Sequence, residues 1–331
     1  MKTKMFSVKD LFKGVTIGEE QSSGGMSVYP LIGEDLSIEF ASFDDIKFKG
    51  SPSYGKMLFD NASDKPFILP AGYTYMSPEL TQDHSTATVQ ILSQGINHIN
   101  NACCIQQHQT GHIANKGEGL DKFGFLPLEL RQKLIFKEEY ERTTTDCSKL
   151  WDDIIDFQKE LVENSHEAHL IYFFTKYMEH LSRFNAEFEI VPKQRGVIVT
   201  FNHKIVGIDI SPTHEYFNHI WKPLIRDSYG SALIKIAKQD IKQSFNDLLS
   251  LDLSSCENIL EIEKAIKSNL EKRKEHLFND IDIILGVQFE ESANYKNEFG
   301  LECIVGLSED YGIEFISNNE NFVNVSLLAK P

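Results

Sequence analysis

Between Cys147 and Glu189 the chain carries neither glycine nor proline. A stretch so free of helix breakers reads as helical. Apolar side chains recur at helical spacing through this stretch, at Leu150, Ile154, Phe157 and Leu161. One face of a helix there is apolar. Thr145 or Asp146 can cap its start. The stretch is long for one globular helix, so a break is expected near Asn164-Ser165. The sequence on both sides reads differently. Leu36 to Phe40 alternates with period two, as a half-buried strand does. Lys56 to Asp60 precedes the turn residues Asn61 to Asp64, and Pro66 to Pro70 follows, a hairpin pattern. Ser27 to Ile32, Thr86 to Leu92 and Ile96 to Asn100 are further strand candidates.

Beyond the helical middle, Gly196 to Phe201 and Ile205 to Ile210 flank a turn at Asn202-His203-Lys204. Pro212 opens a helical stretch over Glu215 to Ile236, with a bend near Pro223. Ile259 to Phe278 is helical. The end returns to strands over Ile283 to Glu290, Phe299 to Gly306, Gly312 to Ser317 and Phe322 to Ala329. A glycine-rich connector over Ile113 to Thr145 contains a short helix near Leu128 to Leu134. The succession predicts an α+β protein. Residues 1–115 form a β-rich, sandwich-like domain, and residues 116–331 a helical and mixed α+β region packed against it.

Composition narrows the function. The chain has 331 residues and a net charge of −16. A general nucleic-acid binder needs clustered Lys and Arg to displace counterions. The densest cluster is Lys272-Arg273-Lys274, inside a mixed helix, and it reads as a solvated face. No nucleic-acid partner is expected. No apolar run approaches the ~20 residues that span a bilayer, and no signal peptide is visible, so the expected setting is the cytoplasm. The five cysteines are odd in number and scattered, which fits a reducing compartment.

Function concentrates in Gln82 to His112, which holds four of the 11 His and two of the 5 Cys. Amides and imidazoles at this density suit a small polar ligand, because several donors and acceptors can converge on it. The candidate ligand-binding residues are Gln82, Asp83, His84, Gln106, Gln107, His108 and His112. Three other readings compete. These groups can simply satisfy buried backbone and one another. His108 and His112, four apart, could hold a divalent metal if they lay on a helix, but Gln107 to Gly111 reads as a loop and no HExxH is present. No metal and no cofactor is therefore expected. Cys103 or Cys104 could act as a thiol nucleophile with His108 or His112, but only one of two adjacent strand cysteines can face a given side. Asp152, Asp153 and Asp156 read as helix-start residues, and Trp151 and Trp221 as core.

Several segments together resemble a known prokaryotic family, named for its genomic association with ADP-ribosylglycohydrolase and rhodanese/phosphatase-superfamily proteins. They are Val15 to Glu19 with Tyr29-Pro30-Leu31, Phe59-Asp60-Asn61 with Ala71-Gly72, and Gln82-Asp83-His84. Cys104-Ile105-Gln106-Gln107, Leu130-Arg131, Leu150-Trp151, Gly196 to Val199 with Val206-Gly207, and Val323 to Leu328 complete the order. The chain departs from the family pattern at three places. His84 stands where the family has Arg, Gln106 where it has Glu, and Gly111-His112-Ile113 where it has Gly-Arg-Trp. Neutral His and Gln cannot replace a bidentate Arg toward an anion. The resemblance implies a role near ADP-ribose or NAD metabolism, with catalysis left open. The competing class is a structural or interaction protein, an oligomeric component of a bacterial defence or antiviral system. Its partners would then be other protein chains, including copies of itself, rather than a small molecule. An assembly of that kind would expose apolar side chains such as Tyr172, Phe173 and Tyr177 on the long helix.

Overall fold

A computed structural model describes residues 4–76, 82–107, 123–137, 148–163, 165–239, 253–254, 256, 258–318 and 321–331. The fold is mixed α+β. The N-terminal third is strand-rich: β1 (Met5–Ser7), β2 (Val15–Ile17), β3 (Gln21–Ser23), β4 (Met26–Gly33), β5 (Ile46–Gly50), β6 (Met57–Asn61), β7 (Phe67–Leu69), β8 (Tyr73–Tyr75), β9 (His84–Thr86), β10 (Gln90–Leu92), β11 (Gly95–Ile99) and β12 (Ala102–Cys104). Then come β13 (Phe123–Phe125), α1 (Leu128–Ile135), α2 (Ser148–Gln158), α3 (Leu170–Glu187), β14 (Gln194–Phe201) and β15 (Lys204–Ile210). α4 (His214–Pro223) runs into a π-helix (Leu224–Gly230) and α5 (Ser231–Gln239). The long α6 (Ile259–Gly286) leads to β16 (Gln288–Lys296), β17 (Glu302–Leu307), β18 (Tyr311–Ser317) and β19 (Phe322–Ala329).

One ten-stranded antiparallel sheet organises the molecule, in the order β1-β16-β17-β18-β19-β15-β14-β4-β2, with β3 also pairing β4. Strands from both sides of residue 115 share it. β14 shows why its centre is buried on both faces. Every residue from Gln194 to Phe201 is buried. Successive side chains point to opposite faces, so Val197 and Val199 join one core cluster and Ile198 the other. The β14–β15 hairpin turns through Asn202 and His203 at φ 48° and 66°. Two consecutive left-handed residues make the primed turn whose twist matches the strands.

α6 lies on one face of the sheet. Its Leu277, Ile281 and Ile284 pack with Tyr29, Leu31, Ile208 and Leu327. The other face meets α4, the π-helix and three small sheets (β10-β7, β11-β6-β5 and β12-β9-β8-β13). A third cluster joins α1, α2 and α3 through Leu130, Leu134, Leu150, Ile154, Phe157, Phe173 and Phe174. Ile154 and Phe157 are fully buried, each stabilising the fold by roughly 2–3 kcal/mol.

Three sequence expectations shift. Leu36 to Phe40 is not a strand. Its exposure alternates, and Leu36, Ile38 and Phe40 pack on the core, but the Leu36 N–H goes to Pro212 O rather than to a ladder. Thr86 to Leu92 divides into β9 and β10, because the Val89 N–H turns aside to the Glu314 carboxylate at 2.8 Å. Finally, α6 continues to Gly286, through the start of the strand expected at Ile283.

Candidate ligand-binding site

β9 and β12 pair antiparallel, Cys104 opposite His84 and Ala102 opposite Thr86. This register brings the two halves of the polar stretch together. His84 is fully buried. Its Nε2 accepts the Gly55 N–H at 3.2 Å, which puts the ring proton on Nδ1, 3.0 Å from Gln82 O. The partners thus select a neutral imidazole. Gln106 is also fully buried, and its Oε1 accepts the Asp83 N–H at 3.3 Å. The Ile105 N–H returns to Asp83 O. The Cys104 thiol donates to Gln106 O at 3.0 Å. Cys104 is buried and Cys103 half-buried, as alternation on a strand requires.

Beyond Gln106 the chain docks on the helical region. Gln106 bridges His169. The Gln107 N–H donates to Ala168 O, and Gln107 Oε1 accepts the Ala168 N–H. The Trp151 indole donates to Cys104 O at 2.9 Å, and Gln158 Nε2 to His169 O at 2.8 Å. Trp151 is therefore a half-buried anchor, whereas Trp221 lies in the core. Tyr54 lies edge-on to Trp151, with centroids 6.0 Å apart, and its hydroxyl reaches Gln107 O. Gln82, Asp83, His84, Gln106 and Gln107 thus meet in one node where β9 and β12 join α2 and α3. His98 points outward on β11. His108 and His112, with the metal and thiol readings that depend on them, lie outside the described residues. Among the described residues no group of three or more His, Cys, Asp or Glu side chains could hold a metal ion. At the node one side-chain donor stays unmet: Gln82 Nε2 is buried and has no hydrogen-bond partner among the described residues.

A second polar centre lies on the inner face of the large sheet, and the sequence reading missed it. Arg131 of α1 is 5 % exposed and Asp209 of β15 is 6 %. Arg131 Nη2 donates to Asp209 Oδ1 at 2.6 Å, and Nη1 to Oδ2 at 3.4 Å. The guanidinium also donates to Ser228 Oγ at 3.1 Å and Ser326 Oγ at 2.8 Å. The Tyr229 hydroxyl donates to Asp209 at 2.6 Å. Burial by itself would lower the Arg131 pKa, but Asp209 and Tyr229 outweigh it and hold it above the ordinary value. Burial, then Asp209, pushes the Tyr229 phenol well up.

The π-helix explains how these groups arrive. Pro223 lacks the N–H that would continue α4, and the next turn widens. π segments are rare and recur at functional sites. Asp227, Ser228, Tyr229 and Gly230 are all buried there. Arg226 Nε meets Asp227 Oδ1 at 2.5 Å. A Cβ at Gly207 would lie 2.2 Å from the Tyr229 hydroxyl, so β15 needs a glycine where that ring crosses it. One sequence signal could have located the centre: Asp209 is the lone charge in the apolar strand Ile205 to Ile210.

The side chains named for an assembly role on α3 face inward: Phe173 and Tyr177 are buried and Tyr172 half-buried. Among the described residues no helix is long and apolar enough to cross a membrane. No curated protein and no solved structure matches the chain. A family model does, over residues 14–293, which includes the node and the Arg131–Asp209 pair. The chain belongs to the ARG and Rhodanese-Phosphatase-superfamily-associated Protein domain family.

Proposed function

We propose that the protein binds a small polar ligand from ADP-ribose or NAD metabolism at the Gln82–Gln107 node. The observation that carries this reading is the buried Gln82 Nε2, which has no hydrogen-bond partner among the described residues. A buried donor left unmade costs roughly 1–3 kcal/mol, and such groups are rare in folded proteins. A ligand acceptor at that point would recover the loss. Tyr54 and Trp151, which bond Gln107 O and Cys104 O at the node, offer aromatic surface to a planar group. The family name supports the choice of ligand through its association with ADP-ribosylglycohydrolase-type proteins. His84 and Gln106 act within this site as neutral supports, engaged by backbone partners. Whether the ligand is also transformed is left open. His108 and His112 complete the proposed set.

Calorimetric titration with ADP-ribose and NAD tests the reading. Saturable binding that weakens at least tenfold in Gln82→Ala supports it. A flat response to both at millimolar ligand, with wild-type folding intact, overturns it. Thermal shift gives the same answer, since ligand at 100 times its dissociation constant stabilises by about 2.7 kcal/mol.

A second reading, an oligomeric component of a bacterial defence or stress system, draws on α6. Ile259, Leu260 and Leu270 are 75 %, 69 % and 48 % exposed there, and apolar surface of that kind marks interaction sites. Sedimentation velocity across a hundredfold concentration range separates the two readings.

A further inference from the structure

Between β15, β18, β19 and the loop carrying Pro70 and Ala71 lies a void of about 20 Å³. Its polar lining comes from Arg131, Asp209, Ser211, Glu314, Asn324 and Ser326. Phe125, Ile220, Leu224 and Val325 close it on the apolar side. Ser211 decides what this space is for. It is 1 % exposed, and its hydroxyl is buried with no hydrogen-bond partner among the described residues. Its N–H donates to Arg195 O at 2.7 Å, and its carbonyl accepts the Arg195 guanidinium at 3.2 and 3.1 Å. The backbone is pinned on both sides, and Ser211 lines the void, where its hydroxyl can find a partner.

We infer that the void is a binding site for a single buried water, held by Ser211 and the carboxylates of Asp209 and Glu314. A void needs at least about 10–15 Å³ of water-sized space and two to four polar partners to hold a water. Both conditions are met, and about 20 Å³ of water-sized space matches one water. The water joins Ser211 to the carboxylates of Asp209 and Glu314, which line the void and can accept its protons. It extends the Arg131 network across β15, β18 and β19. The site is independent of the Gln82–Gln107 node, so neither stands or falls with the other.

A high-resolution crystal structure of the full chain is the direct test. One ordered water within hydrogen-bond distance of Ser211 Oγ is the expected result. Ser211→Val should fill the void, and the count of long-lived internal waters by oxygen-17 relaxation dispersion should fall by one. An empty void in the wild type overturns the inference, as does density with the coordination of a metal cation. Retention of the water in Ser211→Val overturns the role given to Ser211. Should that variant not fold, Ser211→Ala serves: the water should persist with one partner fewer and exchange faster, and unchanged exchange counts against the assignment.

Discussion

The two polar centres of this protein are built on opposite plans. The Gln82–Gln107 node gathers residues close in sequence, and most of its side chains are engaged by backbone groups. The Arg131 centre joins Arg131 to side chains 78 to 195 residues away, and its members bond almost wholly to one another. At the node each side chain completes a local piece of chain, so its loss is felt locally. At the Arg131 centre each member neutralises or hydrogen-bonds another, so loss of one strands the rest in the interior.

That difference sets the first and largest prediction. Arg131→Ala leaves Asp209 buried without its counter-ion, and breaking a buried pair in this way costs roughly 3–5 kcal/mol. Urea denaturation should show the loss. The partner experiment is Arg131→Met combined with Asp209→Leu, which removes both charges. The double variant should be clearly more stable than either single one, since replacing a whole buried pair by apolar groups is often near neutral. Additive losses in this cycle would mean that the two residues do not act as a unit.

The node should respond less. His84→Ala removes the ring that joins Gln82 O to the Gly55 N–H. Two unmade hydrogen bonds and a small cavity together should cost roughly 2 kcal/mol. A loss as large as that of Arg131→Ala would erase the contrast between the two plans. Smaller still, Trp151→Phe keeps the ring near Tyr54 but removes the donor to Cys104 O. About 1 kcal/mol is expected, and amide hydrogen exchange should rise first in β12 rather than across the large sheet.

The same contrast explains what could be read from the sequence. The node was visible because its parts are neighbours: a high density of His, Gln and Cys between two short strands marks a place. The helices α2 and α3 were visible because Leu150, Ile154 and Phe157 repeat at the helical period, and the β14–β15 hairpin because two apolar runs flank Asn202-His203. Leu36 to Phe40 misled because alternation reports which side chains are buried, not whether the backbone has a ladder partner. The Arg131 centre stayed hidden for a related reason. An arginine in an amphipathic helix reads as a surface residue, and nothing near it in sequence names Asp209. Only the antiparallel register of β15 with β19, Asp209 opposite Ser326, sets these partners side by side.

The smallest expected effect is also the one that separates these buried centres from an ordinary titratable group at the surface. His219 stacks on Phe43, with centroids 3.7 Å apart and planes 7° from parallel. It lines a surface cavity of about 150 Å³ together with Asp44 and Glu215. Burial lowers its pKa below the ordinary value, and Asp44 only partly offsets this. The folded state therefore prefers the neutral ring. Its contribution is fully present above the unfolded pKa of about 6.5, and it declines as pH falls from there through the lowered folded value. Denaturation midpoints measured between pH 7.5 and 5 should fall slightly further in the wild type than in His219→Asn, which cannot titrate. Equal slopes would show that the Phe43 stack holds the protonated ring as well as the neutral one. Arg131 should keep its charge over this range, since Asp209 and Tyr229 hold it above its ordinary value. A pH-dependent loss that survives His219→Asn but disappears in the Arg131→Met, Asp209→Leu double variant would assign the titration to the buried pair instead.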